Sequence, residues 1–458
     1  MRVLFGLILV LVLALGGAWV VAGGMAAPEI EILKPEKFVG GSTAVEVAVA
    51  SPDSQLSDLT VAFEQNEAQV PLFSLTDPKA ATTKQEGERI VVTAQIDKQT
   101  VPSLQSGSGR IVVTAGRKVL YGLRTRAANV TRDVQVRLER PRASVVSTHH
   151  YINHGGSEMV VYRVTPNDVD SGVVVGDIEY PGHPATGVTV DGITISDAAL
   201  RVAFFALLWD QDLNTPMRVY ARDPAGNTAR ADFDHRTFPK PFKRSRIDLD
   251  DRFLDRVVPA ILEGTTDVKP EGDTITKFLA INGELRRKNA EKIASFAAQT
   301  APELLWRGVV FHPFRNTAVE SAFADQRTYI YKNKEVDRQV HLGFDLASVT
   351  NAPIVAGNRG KVLFADELGI YGNCVILDHG MGVQSLYAHL SSIDVQPGQM
   401  VEKEQTLGRS GLTGLAGGDH LHFTMLVNGR MVAPVEWWDA HWIEDRILRK
   451  LRAAAGGS

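Results

Sequence analysis

His341-Leu-Gly-Phe-Asp345, Tyr387-Ala-His389-Leu390 and Asp419-His420-Leu-His422-Phe423 lie within one stretch, 341–422. Each of the three pieces carries imidazole, and the first also carries a carboxylate. That is the donor set of a catalytic zinc ion: nitrogen and oxygen ligands, three from protein, with a fourth position for water. His420 and His422 are two apart, so on a strand both face one spot while Leu421 and Phe423 face the core. His341 and Asp345, with Gly343 between them, fit a strand entering from a loop, where even spacing again gives one face. Helical spacing would also bring them together. A lone His pair on a strand is ordinarily a satisfied structural pair. Here a His-x-Gly-x-Asp upstream and an isolated third histidine between them argue against that.

Around these pieces the chain is strand-like and rich in glycine. Segments 360–365, 374–378, 383–387 and 422–426 are short apolar or alternating runs. The one cysteine, Cys374, sits in Asn373-Cys-Val-Ile-Leu377 and reads as a buried strand residue. A single cysteine excludes an intramolecular disulfide framework and a cysteine-rich zinc site.

The chain has 458 residues, 44% hydrophobic and 22% charged, which fits a folded protein of several domains. Its net charge of −4 gives no sign of nucleic-acid binding. An almost unbroken apolar run covers 3–22, close to the roughly 20 residues of a membrane-spanning helix. Small residues follow in Val21-Ala-Gly-Gly-Met-Ala-Ala27. Residues 1–24 therefore read as a membrane anchor or a signal segment, and either sends the rest out of the cytoplasm.

Residues 25–140 alternate with period two, as in Thr43-Ala-Val-Glu-Val-Ala-Val-Ala50, and turn residues separate the runs. They predict a β-sandwich of immunoglobulin-like type. Residues 141–238 predict a second β-sandwich-like module. It contains His149-His150-Tyr151 and His154-Gly155-Gly156, but adjacent histidines on a strand face opposite ways and no carboxylate has ligand spacing. Ordinary surface or loop histidines are expected there.

Residues 239–303 predict a helical linker. Leu249, Phe253, Val257 and Ile261 recur at helical spacing, with Asp248 or Asp250 as N-cap and Pro259 expected to kink or end the helix. Asp273 or Thr274 opens a second helix, with Phe278, Leu279, Leu285, Ile293 and Phe296 inward and Arg286, Arg287 and Lys288 largely exposed. This segment is either a packing element or a lid over a groove. Residues 441–458 predict a basic helix and tail whose charged run, Arg446-Ile-Leu-Arg-Lys-Leu-Arg452, is expected to form a solvated face.

Residues 304–440 resemble the lysostaphin/LytM-type zinc endopeptidases, which cut peptide bonds in bacterial peptidoglycan. The matches fall in the family's order. Ser321-Ala-Phe323 with Arg327 looks like its lead-in, and His341-x-Gly-x-Asp345 is the first metal motif. Gly360-Lys-Val362, Tyr371-Gly-Asn373, Val375-Ile-Leu-Asp-His379-Gly380 and Leu386-Tyr-Ala-His389-Leu390 follow. Val395-Gln-Pro-Gly398, Ser410-Gly-Leu-Thr413-Gly414 and His420-Leu-His422-Phe423 complete the pattern. The resemblance covers under a third of the chain.

It implies a groove-shaped antiparallel sheet holding one Zn2+ per chain, with His341, Asp345 and His422 as ligands and His389 and His420 as catalytic histidines. Loops 351–360 and 411–419 would wall the groove. The chain departs at Asp419, where the family usually has proline, and at Thr424, where it often has glutamate. His379 reads as structural. The whole is expected to be a mainly β, multidomain zinc endopeptidase in the bacterial cell envelope, anchored in the inner membrane with its ectodomain in the periplasm and acting on peptidoglycan stem peptides. The β-modules could span the gap to the wall, bind an envelope protein or cover the groove. The rival expectation is a non-catalytic module that activates a cell-wall amidase, but such modules usually lose metal ligands.

Overall fold

The computed structural model describes residues 12, 13, 16, 17, 19–21, 24–51, 56–120, 122 and 124–456. Much of the apolar run 3–22 lies outside these. Among the described residues no helix is long and apolar enough to cross a membrane. The chain forms two compact units: residues 1–141 with 222–228, and residues 142–221 with 229–458.

The first unit is a two-sheet β-sandwich. One sheet has the strand order Glu29–Lys34, Ser42–Ala50, Arg89–Asp97, Thr82–Glu86. The other has Phe38–Val39, Arg124–Val136, Gly107–Val119, Asp58–Gln65, Ala68–Ser74. Alternation puts Val45, Val47 and Val49 inside, against Leu59, Val61, Phe63, Ile111 and Val113, all fully buried. Each such side chain contributes about 1.5–3 kcal/mol.

The second unit begins with two four-stranded sheets. In one, Ser157–Thr165 and Leu200–Ala206 are central and antiparallel. Every residue of Leu200–Ala206 is buried, as expected of a strand covered on both faces. Its apolar core runs on without a break into the sheet that follows, through Phe204, Trp306, Phe311, Tyr387, Phe423 and Trp437. The turn containing His154-Gly155-Gly156 explains this join. Asn153 Nδ2 and Ser157 N each donate to the buried Glu436 carboxylate at 2.8 Å, and Ala433 N donates to the Gly155 carbonyl at 2.8 Å. A Cβ on Gly156 would stand 2.3 Å from Glu436 Oε1, so only glycine admits the carboxylate.

The expected solvated C-terminal helix is corrected. The helical run from Ala440 to Ala455 packs on the β-module. Lys450 is only 5% exposed, and its ammonium donates to Glu158 Oε1 at 2.8 Å and to the Met159 carbonyl at 2.7 Å. A lysine in a basic run goes inside because a buried carboxylate is waiting for it.

The helical segment starts later than expected, because Arg244–Leu249 is a strand running parallel to Asp325–Tyr331. The helix Asp251–Gly264 follows, N-capped by Asp250, whose side chain accepts from Phe253 N at 2.7 Å. Pro259 does not end it. It lies on the exposed face, where water can serve the carbonyl that loses its partner. A second helical stretch runs from Thr274, capped by Asp273, through one wide turn at Ile281–Leu285 and on through Arg286–Ser295.

The last sheet has the order Ala318–Ser321, Phe344–Ala347, Leu421–Val427, Val383–Leu390, Asn373–Gly380, Gly360–Glu367, Met400–Val401, with Arg430–Val432 also paired to Leu421–Val427. One face joins the core shared with the β-module. The other face, bearing Cys374, Ile376, Leu386, Ala388 and Leu426, is covered by Leu254, Val257, Val258, Ile261, Phe278 and Leu285 of the helices.

Candidate active site

Period two along Leu421–Val427 sends Leu421 and Phe423 into the shared core and His422 to the helix-covered face. Asp345 is its direct cross-strand neighbour on Phe344–Ala347. His341 is not on that strand, contrary to the reading of one pleated face. It ends Lys334–His341, and Leu342-Gly343 turn the chain into the next strand. The turn brings the pair together where alternation alone would not.

The result is a tight three-residue cluster. His341 Nε2 lies 2.9 Å from Asp345 Oδ1 and 2.9 Å from His422 Nδ1, and the last two atoms are 3.1 Å apart. Among the described residues it is the one group of three or more such side chains able to hold a metal ion. Donors around a tetrahedral zinc stand roughly 3.3 Å apart, given bonds of about 2.0–2.1 Å. The cluster fits that requirement with small side-chain movements. His341 Nδ1, 3.3 Å from the Ala322 carbonyl, is placed to donate to it and leave Nε2 a lone pair. Asp345 Oδ2 accepts from Arg327 Nη2 at 3.0 Å, and the same nitrogen donates to Ser321 Oγ at 2.9 Å.

Two further histidines face the cluster. His420 Nε2 is 3.4 Å from Asp345 Oδ1, and its Nδ1 lies 2.9 Å from the Gly418 carbonyl. His389 Nδ1 lies 2.8 Å from the Thr413 carbonyl, and its ring is 4.9 Å from that of His420. Both therefore turn Nδ1 to a backbone carbonyl, and Nε2 of His420 faces the Asp345 carboxylate. His389 reaches its place through a bulge. Ala388 and His389 together oppose Cys374, and His389 has φ +64. A bulge re-aims a side chain that plain alternation would put elsewhere. Nothing in Tyr-Ala-His-Leu announces it.

Electrostatics follow from burial and neighbours. Burial raises the Asp345 carboxyl, but the imidazoles of His341, His420 and His422 outweigh it and hold the group well below the usual carboxylate range. Burial pushes His422 down to about 4. Burial, joined by the charges of His420 and His422, takes His389 well below an ordinary imidazole. Burial also lowers His420, yet the Asp345 hydrogen bond and charge raise it overall.

Asp419 turns away from the imidazoles. Its carboxylate accepts from Ser410 Oγ at 2.6 Å and from Asn351 N at 3.0 Å, fastening two loops. Thr424 is buried in the strand, paired across to Leu386. His379 is fully buried, between the Arg359 carbonyl and Ser385 Oγ, away from the cluster. His149, His150 and His154 belong to the β-module and join no metal cluster among the described residues.

The five residues open into a cleft of about 1230 Å³. One wall is loop 411–419, as expected, through Leu415, Gly417 and Gly418. Loop 351–360 contributes nothing to the lining. The other wall is the helical segment, through Phe253, Arg256 and Arg286. Arg256 Nη2 donates to the Ala416 carbonyl at 2.8 Å, linking helix and loop. Arg286 is half-buried here, where the basic run had read as exposed. The signal for it was the Asn282/Arg286 spacing of four on one helix face. Tyr371 completes the floor, its ring 5.6 Å from that of His422 and edge-on.

Residues 339–434 match the model of peptidase family M23. This stretch is an M23 peptidase domain. It is 38% identical over 97 residues to "DD-carboxypeptidase/endopeptidase Mpg" of Neisseria meningitidis, covering 21% of this chain and 22% of that protein. It is 29% identical over 161 residues to "Peptidoglycan DD-endopeptidase ShyA" of Vibrio cholerae, covering 35% of this chain and 34% of that one. The chain thus matches about a fifth to a third of the length of these relatives. Among solved structures, a putative peptidase M23 from Pseudomonas aeruginosa aligns over 62% of this chain and 92% of its own, with TM-score 0.38 and 21% identity. The lysostaphin catalytic domain of Staphylococcus simulans aligns over 26% of this chain and 90% of its own, with TM-score 0.23 and 26% identity. The M23 match takes in all five site histidines and aspartate: His341, Asp345, His389, His420 and His422.

Proposed function

We propose that this chain is a zinc-dependent endopeptidase that hydrolyses peptide cross-links of bacterial peptidoglycan. The observation that carries the reading is the convergence of His341 Nε2, Asp345 Oδ1 and His422 Nδ1 beside two further imidazoles, each anchored to backbone through Nδ1. The names of the M23 relatives point to the same substrate class. An amidase-activating module would not need this complete set.

His341, Asp345 and His422 would hold the zinc, which when bound supplies Lewis-acid polarisation and a more acidic water. Arg327 keeps the Asp345 carboxylate charged and oriented. His389 and His420, each anchored through Nδ1, hold or accept a proton at Nε2 and steady the oxyanion that develops at the scissile carbonyl. The helices and loop 411–419 wall the cleft in which a peptide would lie.

The strand order of the first unit supports an immunoglobulin-like module, with two of its sheets ordered as in that fold. The run 3–22 supports anchoring in the inner membrane and a periplasmic ectodomain, where the β-modules could meet envelope proteins. The test is zinc content and muropeptide release by residues 29–458, beside a His341→Ala/His420→Ala double variant. Stoichiometric zinc with release that vanishes in the variant is expected. No zinc and no release would overturn the reading in favour of the activator.

A further inference from the structure

The arginines of the cleft are not alike. Arg327 is bonded to Asp345, Arg287 Nη1 lies 2.6 Å from Glu291 and Arg338 Nε lies 2.7 Å from Glu335. Arg256 donates to the Ala416 carbonyl, and Arg286 too has only neutral acceptors. Its Nε donates to the Asn282 carbonyl at 3.0 Å and its Nη2 to Asn282 Oδ1 at 2.6 Å. Among the described residues no carboxylate pairs with it. Asn282 is fully buried and donates in turn to Asp337 Oδ2 at 2.8 Å. The guanidinium is therefore held in place with most of its five N–H donors uncommitted.

Its position is also built. Arg286 directly follows the wide turn Ile281–Leu285, a local widening that recurs at functional sites because it re-aims the next residues. One turn on, Asn289 Oδ1 accepts from Ile370 N at 3.0 Å. That bond fixes the helix to the segment carrying Tyr371, whose ring bears on His422. Arg286 and Tyr371 line the same cleft as the histidine cluster.

We propose that Arg286 is a specificity-determining residue that binds a carboxylate of the peptide lying in the cleft, so that the site selects acidic over neutral peptides. This rests on the cleft being the peptide site proposed above. A planar fork with a free edge matches a carboxylate, and the half-buried wall weakens its screening by water. Arg256, on the preceding helix, adds positive charge to the same lining. The carboxylate can be a chain terminus or a side chain; both offer the same chemistry.

The test uses the full chain with zinc and a short D-amino-acid peptide whose scissile amide is replaced by a methyleneamine. The peptide carries one terminal and one side-chain carboxylate, and two further versions are amidated at one or the other. Calorimetry should show that one amidation weakens binding about tenfold or more, which names the source. Arg286→Gln should bind that acid and its amide alike, while Arg287→Gln keeps the wild-type difference. Indifference of the wild type to both amidations, no binding at all, or an Arg286→Gln variant that keeps the difference or weakens acid and amide equally would overturn the proposal. A preserved acid/amide difference in a protein that releases no muropeptides would instead sink the endopeptidase reading and leave this one standing.

Discussion

The imidazole of His422 occupies the space where a side chain on Gly343 would stand. A Cβ there would fall 2.4 Å from His422 Cε1 and 2.5 Å from Nε2. The glycine of His-x-Gly-x-Asp is thus a seat for the third member of the cluster, and not only a turn residue.

Gly343→Ala should therefore displace His422 while leaving the sheet folded. The expected outcome is zinc content far below one per chain after gel filtration, with an unchanged far-ultraviolet circular dichroism spectrum. Full zinc occupancy in this variant would contradict the assignment of His422.

Arg327→Gln removes the cation behind Asp345. Metal affinity or activity should fall by roughly 10–100-fold, the usual cost of losing a partner behind a ligand. Competition with a zinc chelator reads it directly. Arg327→Lys should fail to restore the wild type, because a flexible ammonium does not reproduce the planar guanidinium that holds Nη2 between Ser321 Oγ and Asp345 Oδ2.

Lys450→Met takes from the buried Glu158 carboxylate its close cation at 2.8 Å and leaves it only Arg446 Nε at 3.9 Å. Burial already raises that carboxyl, against the pull of Lys450. Denaturant unfolding should show a loss of about 3–5 kcal/mol. Adding Glu158→Gln should recover much of it. If both variants are equally unstable, the ion pair is not what docks the C-terminal helix.

Acid should weaken the fold through His379. Burial depresses this imidazole from 6.5 to about 4 in the folded chain. The unfolded chain then binds more protons between those values, so stability is present above pH 6.5 and lost as the pH falls toward 4. His150 and His183, each also pushed down to about 4 by burial, act in the same direction. Glu436, raised by burial to about 7, opposes them, its contribution being present below pH 4.5 and lost as the pH rises through 7. For His379 alone the loss is roughly 3 kcal/mol at full protonation. A His379→Asn variant should show a shallower fall in Tm between pH 6.5 and 4; an unchanged slope would exclude this source.

Local pattern carried part of the site into view. The two-residue spacing of His420 and His422 needs only the pleat of one strand, and the pair does share a face. The other members depend on contacts far apart in sequence. His341 meets Asp345 through a change of strand, and His389 arrives through a bulge whose partner, Cys374, lies on a neighbouring strand. Arg244–Leu249 was hidden because its pairing strand, Asp325–Tyr331, is distant in the chain. Lys450 looked exposed because composition cannot reveal that Glu158 is buried opposite it. Alternation did mark the strands of the first unit, where the hydrophobic face is local information.

The buried carboxylate of Glu436 has a practical meaning for anyone wishing to trim this protein. Its hydrogen-bond donors, Asn153 and Ser157, come from a turn that a fragment starting near residue 304 would discard. So would Phe204, which packs against Trp437. Such a fragment would expose an acid and a row of aromatic rings to solvent, and its low activity would report a damaged scaffold and not an uncovered groove. Cutting just before Arg142 keeps this joint whole, although the turn 222–228, which packs with the first unit, would lose its neighbours.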